Sequence, residues 1–212
     1  MIDIETMDLG PEAAVVAIGA RMFTVDGPGK GFECFISPEL AAHMGTVGQD
    51  TMEWWRKQEQ FDAVFGGKLD PADAVFRLLK FIEQYKPQVV WANSPEFDIV
   101  IMRHLCKQTG MRWPFTYKQN ADFRTLVRVG AAMGVDTEAL WKNPDRKAHN
   151  ALDDATKQAE IAAVILKALS NRAADSDPGS VPDPSARVLR IPHPAGMQSS
   201  SPQSPEPQGS SD

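Results

Sequence analysis

Met1-Ile2-Asp3-Ile4-Glu5-Thr6 opens the chain, and the alternation in these six residues decides the fold. In a β-strand, residues i and i+2 point to one face. Asp3 and Glu5 therefore share a face, and Ile2 and Ile4 share the other. Two carboxylates at that spacing repel, and burying them without a counter-charge is costly. A divalent cation removes the conflict, because hard cations take carboxylate oxygens. The competing reading is an edge strand with two charges in solvent. Only Met1 and Ile2 precede Asp3, which predicts a strand frayed at its start or a chain whose start lies upstream.

Working outward, Asp8-Leu9-Gly10-Pro11 reads as a turn, and 13–24, rich in Val, Ile and Phe, as a long strand. Asp26-Gly27-Pro28-Gly29 is a turn signal, with 31–36 as the returning strand. Together these predict an antiparallel meander. Ser37-Pro38-Glu39 starts a short helix and 51–58 another. In 71–86, Val75, Leu78, Leu79 and Ile82 recur at i, i+3, i+4 and i+7 behind Pro71, as a helix with a first-turn proline should. A buried strand over 88–92 follows Pro87, and Asn93-Ser94-Pro95 caps a helix to Gln108. Further helices are predicted over 122–133 and 150–169. A meander followed by alternating helices and strands predicts an α/β domain, a mixed sheet with helices packed on it.

Two more acidic residues fall on apolar faces. At about 100° per residue from Leu152, the stripe Ala155, Ala159, Ala162, Leu166 and Leu169 lies near about 260–340°, and Ile161 and Ile165 near about 180–220°. Asp154 falls at about 200°, beside those isoleucines, whereas Asp153 falls at about 100° on the polar face with Lys157 and Glu160. Asp98 shares a face with Ile101, Met102 and Leu105. Each carboxylate singly could be a first-turn helix charge, which the helix dipole favours. Four of them, Asp3, Glu5, Asp98 and Asp154, from separate segments are harder to explain as four accidents. His149 sits five residues before Asp154, on a loop that looks exposed, from which its ring can lean over the same place. His43, His104 and His193 read as ordinary surface or core residues.

The bulk properties bound the function. A chain of 212 residues with net charge −6 and 42% hydrophobic residues fits one soluble domain plus a tail. It has no apolar run long enough to span a membrane and no signal-peptide pattern. Two distant cysteines, Cys34 and Cys106, read as reduced thiols in a cytoplasmic protein. The acidic balance argues against holding long duplexes on a basic surface, yet permits a nucleic-acid enzyme whose bound metals invert the local charge. Half of the 16 prolines lie beyond residue 172, with many Ser, Asp and Gln. The domain is therefore expected over 1–172 and a disordered Pro/Ser-rich tail over 173–212. The one apolar patch of that tail, Val188-Leu189-Arg190-Ile191, is a candidate docking peptide for an unknown protein.

Asp3-Ile4-Glu5-Thr6, then Asn93-Ser94-Pro95-Glu96-Phe97-Asp98, then His149-Asn150-Ala151-Leu152-Asp153-Asp154-Ala155 together resemble the motifs of the DEDDh 3′→5′ exonucleases, on the ribonuclease H-like fold. The order and spacing match over roughly residues 1–170, and the His-x4-Asp form of the third motif separates this branch from the tyrosine branch. The pair Trp54-Trp55 and the element Asp122-Phe123-Arg124-Thr125 are similar to the phage exonuclease A type and related bacterial exoribonucleases. For one of the two tryptophans core packing is the expected fate, because adjacent helical residues lie about 100° apart.

The resemblance implies hydrolysis of terminal phosphodiesters of single-stranded DNA or RNA 3′ ends to nucleoside 5′-monophosphates, with DNA favoured. It implies that Asp3, Glu5, Asp98 and Asp154 hold two Mg²⁺ or Mn²⁺ ions and that His149 is the general base. It further implies that backbone near Thr6 and the Met7 side chain contact the terminal nucleotide, that Arg124 binds a phosphate, and that Trp54 stacks a base. Alternatives are an exoribonuclease of the same family and an inactive nucleic-acid-binding module.

Overall fold

The computed structural model of the protein describes residues 1–142 and 149–175. Five strands, β1 (Ile2–Thr6), β2 (Val15–Thr24), β3 (Gly27–Phe35), β4 (Val90–Ala92) and β5 (Asn120–Asp122), form one sheet in the order β3-β2-β1-β4-β5. β1 runs antiparallel to β2 and parallel to β4. β2 and β3 are antiparallel, and β4 and β5 are parallel. The mixed sheet flanked by helices is the ribonuclease H-like arrangement. β1 is the central strand, so the alternation of its side chains sends Asp3 and Glu5 to one helical layer and Ile2 and Ile4 to the other.

The helices are α1 (Pro38–Ala41), α2 (Gln49–Trp55), α3 (Phe61–Phe65), α4 (Pro71–Tyr85), α5 (Asp98–Gln108), α6 (Phe123–Ala132), α7 (Thr137–Trp141) and α8 (Ala151–Asp175). Ile2, Ile4 and Ile18 pack in one core with Val75 and Leu78 of α4 and Ile101 and Met102 of α5. Met1 and residues of α6 and α8, among them Phe123, Val127, Ala159 and Ile165, make a second core. Among the described residues no helix is long and apolar enough to cross a membrane. Both cysteines are buried free thiols, and burial pushes each up to about 12.

Several local expectations are corrected. The first strand is not frayed: Met1 is buried, its amine donates to the Arg21 carbonyl at 2.8 Å, and its carbonyl accepts from the Arg21 N–H at 2.9 Å. The meander turn lies one step earlier than read, because Thr24 pairs with Gly27 and Val25-Asp26 make the loop. Gly27 supplies φ +126°, a backbone that side chains disfavour. Pro28 is tolerated because β3 is an edge strand. Regular helix begins at Asp98 instead of Ser94: residues 94–97 form a turn, since Phe97 departs from helical geometry (φ −101°, ψ −76°). Asp122 ends β5 and caps α6, accepting the Thr125 N–H at 2.6 Å. Short α3, α7 and β5 went unpredicted. α8 continues six residues past Leu169 to Asp175. The tail expected from residue 173 lies, from residue 176 onward, outside the described residues, as does the Val188–Ile191 patch.

Candidate active site

Gly19 explains how α8 reaches β1. Asp3 pairs across the ladder with Gly19 and Glu5 with Ala17, and directly paired residues point to the same face. That face carries α8. A Cβ on Gly19 would lie 2.1 Å from the carbonyl carbon of Ala151, so only glycine lets the first turn of the helix settle on the sheet. Asn150 then fixes the turn twice. Its Oδ1 accepts the Asp153 N–H at 2.8 Å and its Nδ2 donates to Glu33 Oε1 of β3 at 2.9 Å.

Asp154 therefore points at β1. Carboxylate oxygens of Asp3, Glu5 and Asp154 all lie within 4.8 Å of one another. Asp98 enters from the start of α5, the helix that follows β4, and is only 4% exposed. Its charge acts on both Asp3 and Glu5. Burial, followed by the charges of Asp98, Glu5 and Asp154, holds Asp3 well above the usual carboxylate range, and the Gln158 amide opposes that. Burial, then Asp154 and Asp98, pushes Glu5 up to about 8. Burial pushes Asp98 up to about 7 against the pull of backbone N–H groups and the Arg124 guanidinium. Asp154 is also raised by burial, opposed by His149 and Lys157. All four groups want a counter-charge that the surrounding protein does not fully supply.

His149 precedes α8 in a left-handed conformation (φ 63°) and its N–H donates to Asp154 Oδ2 at 2.9 Å. It is half-buried, not exposed as read from its neighbours; Lys147 and Ala148 lie outside the described residues. Its ring stands edge-on to Trp54, with centroids 4.8 Å apart, and to Trp55 at 6.2 Å. Trp55 is buried and its Nε1–H donates to the Thr6 carbonyl at 2.9 Å, tying α2 to the end of β1. Trp54 is the half-buried member of the pair. The site thus brings Asp3, Glu5 and Asp154 together within 4.8 Å, with Asp98, His149 and Trp54 around them, and the charge of exposed Arg124, in the first turn of α6, acts on Asp98. Thr6 and Met7 follow directly but are buried. The Met7 N–H donates to the Ala14 carbonyl and its carbonyl accepts from Gly48.

Sequence reasoning missed Gln158. Its side chain is 4% exposed and its Nε2 donates to Asp3 Oδ1 at 2.8 Å. The signal was available: at about 240° on the same helical projection, it is an amide inside the apolar stripe, one turn after Asp154. One groove of about 760 Å³ is lined by Met1, Phe23, Val25, Tyr85, Val89 and Trp91 among others, with none of the four carboxylates. Chemistry, not volume, locates the site.

The donor set fits hard divalent cations. It consists of carboxylate oxygens, close together and pushed toward protonation by one another, which is the electrostatic condition a bound Mg²⁺ or Mn²⁺ relieves.

A profile described as the Rv2179c-like 3′-5′ exoribonuclease domain matches residues 1–166. A solved exonuclease I structure, reported for what it suggests about processivity, superposes with a TM-score of 0.59 at 14% identity over 82% of this chain. The zinc-bound E. coli exonuclease I–ssDNA complex superposes with a TM-score of 0.57 at 15% identity, also over 82% of this chain. The chain spans 41% of the length of each of these structures, and the similarity is one of fold. No curated protein sequence matches.

Proposed function

Because the chain belongs to the Rv2179c-like 3′-5′ exoribonuclease domain family, a family of 3′→5′ exonucleases, we propose that it removes nucleotides from the 3′ ends of single-stranded nucleic acid, releasing nucleoside 5′-monophosphates. The observation that carries this reading is the convergence of Asp3, Glu5 and Asp154 within 4.8 Å, with Asp98 beside them and His149 held on Asp154. In this reading the four carboxylates hold two divalent ions, Mg²⁺ or Mn²⁺. Bound there, such ions would supply the positive charge that stabilises the phosphoryl transition state and would lower the pKa of the attacking water.

The chain's own residues do the rest. His149 accepts the proton of the attacking water, as an imidazole can at neutral pH. The hydrogen bond from its N–H to Asp154 keeps the base and a metal ligand in one fixed relation. Trp54, packed against the His149 ring, offers a face on which the terminal base stacks. Arg124 holds a phosphate of the strand at the Asp98 side. Backbone near Thr6 and the side chain of Met7 border the terminal nucleotide at the end of β1. Single strands are the preferred substrate because the terminal nucleotide must leave its stack to reach recessed carboxylates.

The family description favours RNA over the DNA expected from the phage-type features, and the two are separated by one experiment. Matched 5′-labelled RNA and DNA oligonucleotides are followed in parallel with Mg²⁺ and with EDTA. Laddering from the 3′ end that requires Mg²⁺ and is faster on RNA supports the exoribonuclease reading. Faster laddering on DNA transfers it to deoxyribonuclease. Binding without shortening in Mg²⁺ or Mn²⁺ overturns the enzyme reading in favour of a binding module.

A further inference from the structure

Gln158 is the unexplained residue of the site. It lies one turn after Asp154 on α8, on a face otherwise built from Ala155, Ala159, Ala162, Ile161 and Ile165, all buried. Packing alone would accept a leucine or methionine there. An amide instead is buried to 4% exposure, a placement that is unfavourable unless its polar atoms find partners. Its nitrogen has one, Asp3 Oδ1 at 2.8 Å. Its Oε1 is buried and, among the described residues, has no hydrogen-bond partner.

The two halves of that amide constrain each other. A carboxylate ionised to take a cation only accepts, so in that state the NH₂ faces Asp3, and the orphaned oxygen is the consequence of that orientation. Reversing the amide would set two acceptors against each other. One oxygen of the central-strand carboxylate is therefore pinned by a side chain from α8, in a carboxylate that also clusters with Glu5 and Asp154. The same contact links β1 to the helix that carries Asp154.

We propose that Gln158 is a positioning residue: it orients the Asp3 carboxylate for divalent-ion binding and so sets the affinity of the site for its metal. This rests on the reading of Asp3 as a metal ligand. Hydrogen-bonding partners of metal ligands commonly govern affinity by about 10–100-fold.

The experiment titrates Mn²⁺ alone into the full chain by calorimetry, comparing wild type, Gln158→Met, Asp3→Asn and the double variant, with metal-free melting curves alongside. Methionine keeps the volume and removes both the donor and the orphaned acceptor, so the metal-free Tm should hold or rise. The Mn²⁺ dissociation constant should rise by about 10–100-fold. Turnover at limiting Mn²⁺ should fall by a similar factor and recover in excess Mn²⁺, with KM for the oligonucleotide unchanged. In the Asp3→Asn background the Gln158 substitution should add nothing, because the two act as one unit. Gln158→Leu serves if the methionine variant does not fold. Wild-type Mn²⁺ affinity in a folded Gln158 variant overturns the inference and leaves the carboxylate site standing. Absence of Mn²⁺ binding by the wild type overturns the metal reading itself, and the inference with it.

Discussion

His149 holds φ 63°, a region that residues other than glycine rarely occupy, although Asn, Asp and His enter it more readily than most. The conformation is stabilised by its product: the N–H directed onto Asp154 Oδ2. In the proposed mechanism backbone and ring carry separate roles, and two substitutions separate them. His149→Asn should keep the left-handed turn and the melting temperature, whereas His149→Ala should lose some of both. Turnover should fall by about 10²–10⁴ in each, the usual loss for a general base, when initial rates are measured at saturating oligonucleotide and metal. Near-wild-type turnover in the asparagine variant would remove the imidazole from the chemistry. Asp154→Asn should abolish turnover and Asp153→Asn should be tolerated, because only Asp154 turns to the cluster. The Asp153 N–H caps against Asn150 through backbone, which the asparagine leaves intact.

At the scale of elements, the site depends on how closely α8 lies on β2. Gly19→Ala would place a methyl 2.1 Å from backbone of Ala151, and backbone cannot yield as a side-chain tip can. The cost should be about 1–3 kcal/mol in urea unfolding, typical of overpacking, with turnover falling as well because Asp154 is carried away from Asp3. Gly130→Ala is the matched control. Its added methyl would meet the Ile165 side chain at 2.9 Å, between α6 and α8 but away from the carboxylates, so it should lower stability and spare turnover. An equal loss of turnover in both would mean that α8 moves as one body. These contacts also mark where sequence reading stopped. The β1 alternation and the helical angle of Asp154 were legible because each is a local period. That one of Trp54 and Trp55 would be buried was legible too, from their offset of about 100° on a helix, although not which. Gly19 was not read because its meaning appears only against Ala151, more than a hundred positions away; Gln158 offered a signal as an amide in an apolar stripe, but its partner, Asp3, is equally distant in sequence. α3, α7 and β5 are too short for a period to register, and residues 94–97 read as helix because Asn93-Ser94-Pro95 is a helix-opening pattern, whereas regular helix starts at Asp98.

For the molecule as a whole, the cluster trades stability for readiness to bind cations. Glu5 is pushed up to about 8 from its ordinary 4.5 by burial and by Asp154 and Asp98, and Asp98 up to about 7 from 3.8. Below pH about 4 both folded and unfolded chains hold these protons, and the groups favour neither state. As pH rises, the unfolded chain releases protons that the folded chain keeps, so the unfolding free energy falls until the folded groups ionise near about 7–8. Metal-free protein in EDTA should therefore melt at progressively lower temperature between pH about 5 and about 8. Saturating Mn²⁺ should reverse this, because in the proposed site it binds the ionised folded cluster and not the open chain. At about 100 times its dissociation constant it should add about 2.7 kcal/mol, or a rise of about 5–10 °C at this chain length. The rise should be larger at pH about 8 than at pH about 5, where protons compete for the same oxygens. Glu5→Gln should raise the metal-free melting temperature at the higher pH, flatten the slope and forfeit most of the Mn²⁺ gain, since the amide removes the repulsion together with the ligand charge. A metal-free melting temperature that does not change over this range would mean that the carboxylates ionise as they do in water, and the driving force for cation binding argued from their crowding would be absent.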